Sequence, residues 1–240
     1  ASLTGEIPLQ HEEIEAAIDG VALAGWIAML LLFVVMFVGV RSFRIILGTF
    51  MLLGVGVTWT IGYALLSVGE FNTLSLIFVV MFFGLGVDFA LHYSLRFQEA
   101  VGEKIEKSEA LVQSGKSVGR AISLGAVTTA IGFLGFWPTD YQGLADLGVI
   151  SAGGMLIACF LAFTFLPAFY AVIGPPRSSG VGLPSSDRLV AWLVGRKGWV
   201  IGSSLVIAGL AASQAIQLQF DYSVLALKDP KSESMSTHRI

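Results

Sequence analysis

Asp88, His92 and the hydroxyl pair Thr128 and Thr129 are the residues of this sequence best placed to move protons. Gly84, Asp88 and His92 recur at intervals of four, so they fall on one stripe of a helix, and Gly86 thins the turn beside Asp88. Farther on, Gly125, Thr129 and Gly132 share a helical face, with Thr128 beside it. The chemistry such a set could perform is proton transfer. A carboxyl binds and releases the proton, an imidazole one turn away relays it, and a hydroxyl accepts or donates a hydrogen bond to either. The small residues let another helix come close. Each residue also has a plainer reading: Asp88 pairing with a polar group of a neighbouring helix, His92 bonding at an interface, and both threonines bonding back to their own helix. The single cysteine, Cys159, lies in an apolar run, and no spacing of Cys and His suits a metal. Neither a metal nor a cofactor is expected.

The stretches that carry these residues are unusually poor in charge. Of 240 residues, 55% are hydrophobic and 13% charged, whereas a soluble domain carries about 25% charged residues. The shortage is concentrated in the charge-free runs 20–40, 45–69, 71–87, 121–139, 147–176 and 198–220. Runs of roughly 18 or more apolar residues read as membrane-spanning helices. The 71–87 run reaches that length, to Leu95, if Asp88 is tolerated within it. The expected fold is an all-α membrane protein with six transmembrane helices, at roughly 20–40, 45–68, 71–95, 121–138, 147–173 and 198–218. Soluble enzymes and nucleic-acid binders are excluded.

Among 14 Lys+Arg and 17 Asp+Glu residues, Asp88 alone interrupts a span. It lies eight residues before Arg96, about 12 Å at helical rise against a hydrocarbon core of about 30 Å. A charged Asp near the midplane costs roughly 2.5–3.5 kcal/mol, and such residues usually face the bundle interior on an ion or proton path. Low dielectric disfavours the charged form, so a carboxyl there is suited to cycling a proton.

The cations gather in alternate connections. Arg41, Arg44, Arg96, Lys104, Lys107, Lys116, Arg120, Arg177, Arg188, Arg196 and Lys197 fall in the connections at 41–44, 96–120 and 177–197, and only Lys228, Lys231 and Arg239 fall elsewhere. By the positive-inside rule the first set is cytoplasmic, which leaves both chain ends outside. The domain organisation expected is as follows: 1–18 ends one external domain, 19–174 is a five-helix bundle, 175–197 is a cytoplasmic linker rich in Pro, Ser and Gly, 198–218 is the sixth span, and 219–240 opens a second external domain. Within 96–120, Phe97, Val101, Ile105 and Leu111/Val112 recur at near-helical spacing, which reads as an amphipathic helix along the cytoplasmic face or, on the plainer reading, as a solvated connector. Alternation at Leu218, Phe220, Tyr222 and Val224 predicts a strand. Trp26, Trp59, Trp137, Trp199, Tyr63, Tyr141 and Tyr170 read mostly as interfacial aromatics. With no initiator Met and no signal pattern, the chain reads as a piece of a longer protein.

The stretch Gly84-Leu85-Gly86-Val87-Asp88-Phe89, and Gly119-Arg120-Ala121-Ile122 through Thr128-Thr129-Ala130-Ile131-Gly132-Phe133, resemble the fourth and fifth helices of resistance-nodulation-division (RND) transporters and of the related Patched-type proteins. More narrowly, Gly86 to Tyr93 followed by Arg96-Phe97 is similar to the hopanoid-exporting branch of bacterial inner membranes. The resemblance covers essentially the whole chain. It implies a parent with twelve spans in two repeats, this chain holding the second to the seventh. Five helices would form the RND or sterol-sensing-type bundle, and the last would open the second repeat. It implies further that Asp88 is the proton-relay carboxylate, working with groups on a helix of the remainder of the parent. Protons would drive export of a hopanoid-like lipid, and a homo-oligomer is allowed. Drug-efflux members often carry two adjacent acids, whereas Phe89 follows Asp88 here, as in lipid-exporting branches.

Two other classes compete. A sterol-sensing regulatory module shares the five-helix architecture and binds lipid without needing a titrating acid. An intramembrane aspartyl protease would need a G-x-G-D motif and a second intramembrane Asp, and this sequence has neither, so no enzyme is expected.

Overall fold

The computed structural model describes residues 6–69, 72–176, 192 and 195–215. Seven helices are described: α1 (Glu6–Gly39), α2 (Phe43–Ser67), the short α3 (Thr73–Leu76), α4 (Phe78–Gly102), α5 (Lys107–Leu134), α6 (Gln142–Ile173) and α7 (Lys197–Ala215). No strand occurs among the described residues. Among the described residues, five stretches are long and apolar enough to cross a membrane: Ile18–Gly39, Phe43–Ser67, Phe78–Gly102, Lys107–Leu134 and Gln142–Ile173. The chain is a multi-pass, all-α membrane protein. The apolar part of α7, Lys197–Ser213, is shorter than these. The strand expected after Leu218 lies outside the described residues, as does most of the 175–197 linker.

Large apolar side chains on the helix exteriors are open: Trp26 is 75% exposed, Leu66 91% and Val172 86%. A water-soluble domain would bury them; in lipid they meet their preferred solvent. Packing inside the bundle therefore depends on close fit rather than on exclusion of water. Helix α6 is central to that fit, packing on α2, α4 and α5. Its Gly153 lies under the Tyr63 ring of α2, where a Cβ would come within 2.1 Å of the ring. Gly148 faces the Phe133 carbonyl of α5, where a Cβ would come within 2.5 Å of the oxygen. Leu53, Phe78, Phe82, Phe97, Met155 and Leu166 fill the core between these helices. A smaller cluster of Met36, Ile45, Ile46 and Val87 seats the end of α1 on α2 and α4.

Side chains also fasten one end of the bundle. Helix α6 stops at Gly174, whose φ of 94° suits glycine and whose N–H donates to the Tyr170 carbonyl. Carbonyls at that helix end and just beyond it accept from cations. Lys107 Nζ donates to Ala171 O at 2.6 Å, and Arg44 Nη1 donates to Pro175 O. At the other end Asn72 caps α3 by accepting from the Ser75 N–H, and its amide donates to Asp146 at 2.9 Å.

The structure departs from three expectations. The segment 96–120 is not a separate amphipathic helix: α4 runs on to Gly102, a turn follows, and α5 begins at Lys107. Phe97 is wholly buried and Val101, Ile105 and Leu111 pack against the core, so the spacing recorded bundle packing rather than a membrane-surface face. The expected third span starting at residue 71 is broken at Ile77 into α3 and α4. Tyr170 is not interfacial; it is wholly buried and hydrogen-bonded to Ser94 at 2.6 Å.

Candidate functional site

Asp88 sits eleven residues into the 25-residue α4, well away from either end. Its side chain points away from the buried face formed by Phe82, Gly86, Phe89, Ala90 and Tyr93. Asp88 is exposed within this chain, and so are Gly84 and His92, one turn to either side. The stripe read from the sequence is thus an open face of the bundle.

Helix α5 supplies the other wall. Asp88, His92, Leu85 and Phe89 of α4 line a cavity of about 290 Å³ with Val118, Ala121, Ile122, Gly125 and Thr129 of α5, closed by Met155 of α6. Thr129 therefore shares a space with the carboxyl and the imidazole. Thr128 does not line it; its hydroxyl donates to the carbonyls of Leu124 at 2.9 Å and Gly125 at 3.1 Å. That is the back-bonding geometry in which a helix satisfies its own threonine.

The four glycines divide. A Cβ at Gly84, Gly125 or Gly132 would meet nothing within 4 Å, so these positions hold the α4–α5 face open. Gly86 serves on the opposite side of α4, where a Cβ would come 3.0 Å from Leu53 Cδ2 of α2. No group of His, Cys, Asp and Glu suited to a metal occurs among the described residues.

The cavity walls are held in place by bonds behind them. Ser94, two residues past His92, is pinned to Tyr170 of α6, and the Tyr93 phenol donates to Leu111 O of α5 at 3.1 Å. Sequence reading missed both ties. A serine and two tyrosines near span ends look like interfacial residues until burial is known. Leu85, Val118 and Met155 were missed as cavity walls because apolar side chains in a span carry no signal of which way they face.

This carboxyl-bearing helix pair stands in a chain whose residues 1–201 match the model described as MMPL family. The chain belongs to the MMPL family. This agrees with the RND-superfamily resemblance carried by Gly84 to Phe89. MMPL relatives include the hopanoid transporter HpnN of Burkholderia multivorans, 37% identical over 237 residues, covering 98% of this chain and 27% of the relative. HpnN of Rhodopseudomonas palustris is 30% identical over 236 residues, with the same 98% and 27% coverage. The sulfolipid-1 exporter MmpL8 of Mycobacterium tuberculosis is 29% identical over 94 residues, covering 39% of this chain and 9% of the relative. The chain spans about a quarter of the length of the HpnN proteins it matches.

Proposed function

We propose that this chain is part of the membrane domain of a proton-driven lipid exporter, with Asp88 as the proton-carrying group. The observation that carries the reading is a carboxyl in mid-span, on an open face and in one cavity with His92 and Thr129. A permanent charge facing hydrocarbon would be costly, so the face is covered in the whole protein. The bare positions Gly84, Gly125 and Gly132 leave room for a helix from the remainder of the parent to approach. Asp88 takes up a proton from outside and is neutralised, its hold on the covering helix changes, and His92, about 6 Å along the helix, passes the proton inward. Thr129 orients the carboxyl, and Thr128 supports the helix backbone beside it. Each charge moving through the potential supplies about 2.3 kcal/mol per 100 mV.

The cargo is a lipid, of the hopanoid class by similarity to the HpnN proteins. The bundle lies in a bacterial inner membrane with its Arg41, Arg44, Lys104 and Lys107 end in the cytoplasm. Both chain ends are then periplasmic, and residues 1–18 and 219–240 belong to periplasmic domains. The transporter names of the relatives agree with a non-enzymatic role.

The deciding experiment is Asp88→Asn in the full-length protein, followed by lipid analysis of inner and outer membranes. Loss of outer-membrane hopanoid with normal insertion supports the reading, and unchanged export overturns it. A second reading is a sterol-sensing-type regulator that binds lipid without proton coupling. An apolar cavity of about 320 Å³ between α1 and the α3–α4 region, walled by Trp26, Met29, Leu76 and Phe83, favours it. Lipid-dependent signalling that persists in Asp88→Asn would select that alternative.

A further inference from the structure

The stripe that carries Gly84, Asp88 and His92 continues one turn farther to Arg96. Helices α4 and α5 form a hairpin whose turn lies between Gly102 and Lys107, so Arg96 stands between the Asp88 cavity and that turn. Its side chain is 29% exposed and is engaged on two sides. Nε donates to Ser117 Oγ of α5 at 3.1 Å, and Nη1 donates to Glu99 Oε2 of α4 at 3.0 Å. Ser117 adjoins Val118, which lines the cavity. The Arg96–Ser117 bond therefore crosses from one wall helix to the other at the cavity's end.

Within the cavity Asp88 and His92 carry the titratable groups, and the α5 and α6 walls contribute none. A proton that leaves His92 toward the cation-rich end has to pass Arg96. A guanidinium keeps its charge at any working pH, and a fixed cation at a constriction is a barrier to protons and other cations. Glu99 is 65% exposed, so it draws the guanidinium toward solvent and away from the cavity. The bond to Glu99 joins two ions and is the stronger hold; the bond to the neutral Ser117 hydroxyl is the weaker one.

We propose that Arg96 is the gate at the cytoplasmic end of the proton path, closed while it bridges to Ser117 and open when it rests on Glu99 alone. The inference rests on the proposed role of Asp88 and adds what keeps the path shut between export events. A proton arriving on His92 makes an imidazolium that repels the guanidinium one turn away, and the weaker Ser117 bond breaks first. The proton then leaves the imidazole for water, and Arg96 returns. The gradient is not dissipated when no lipid is carried.

The test measures proton flux through the full-length protein in liposomes of phosphatidylethanolamine and phosphatidylglycerol, with an imposed pH gradient, a pH-sensitive dye inside and no hopanoid. The unaltered protein should be nearly proton-tight. Arg96→Gln should leak about ten-fold faster, the effect of removing a unit charge from a partly solvated site about one helical turn from His92, and adding Asp88→Asn should abolish that leak. Arg96→Lys keeps the charge and a donor for Ser117, and should stay tight. Ser117→Ala removes only the bridge and should leak several-fold; it carries the test if Arg96→Gln does not insert. Flux in Arg96→Gln and Ser117→Ala equal to that of the unaltered protein overturns the proposal, and so does a leak that survives Asp88→Asn. The two readings fail differently. If Asp88→Asn abolishes export in cells while neither variant leaks, the gate is wrong and the proton carrier stands; if export is unchanged in Asp88→Asn, both fall.

Discussion

The Ser94 hydroxyl and the Tyr170 phenol lie 2.6 Å apart in the buried centre of the bundle, joining α4 to α6 two residues after His92. Tyr170→Phe leaves the Ser94 oxygen in a dry interior without its partner. We expect a destabilisation of about 0.6 kcal/mol, the usual size of a hydrogen bond between membrane helices, read as a lower melting temperature of the purified full-length protein. Adding Ser94→Ala should recover part of it, because both polar atoms are then gone.

Glycines on the two sides of the bundle should behave oppositely. Gly153→Ala drives a methyl into the Tyr63 ring and should cost about 1–3 kcal/mol by overpacking. Gly125→Ala meets nothing within this chain, so folding of the bundle should be unaffected while export falls, since the added methyl stands where a covering helix would approach. Thermal melting and export assays on the same pair of variants separate the two effects.

Removal of hydroxyls should distinguish neighbouring threonines. Thr129→Val strips the cavity of a polar group beside Asp88 and should shift the pH dependence of export. Thr128→Val removes only a bond to the helix's own carbonyls and should change export little. A Thr128→Val effect as large as that of Thr129→Val would contradict the assignment.

Orientation can be checked chemically. With Cys159 replaced by Ser, a cysteine at Lys104 should react with a membrane-impermeant maleimide only from the cytoplasmic side. A cysteine at Asp140, in the α5–α6 connection at the opposite end, should react only from outside. Labelling of both from one side would refute the proposed topology.

Asp88 was legible because a charge in an apolar run stands out against everything around it, and its stripe with Gly84 and His92 follows from helical spacing alone. The role of Gly86 was not. Spacing places it near Asp88, but the turn of the helix carries it to the far side, against Leu53. The 96–120 segment misled for a similar reason, since apolar spacing looks the same whether a helix lies on lipid or packs in a bundle.

By itself the sequence determined that the chain crosses a membrane, which end gathers the cations, and which carboxyl is out of place. These depend on residue type and position along one axis, and hydrophobic length and charge report both directly. Tertiary structure alone decided that Thr129 and not Thr128 joins Asp88 and His92, that Tyr170 is buried on Ser94, and that Gly153 receives Tyr63. Each of these depends on how neighbouring helices are rotated about their axes. In lipid that rotation is set by the fit of side chains against one another, and no single helix carries the information.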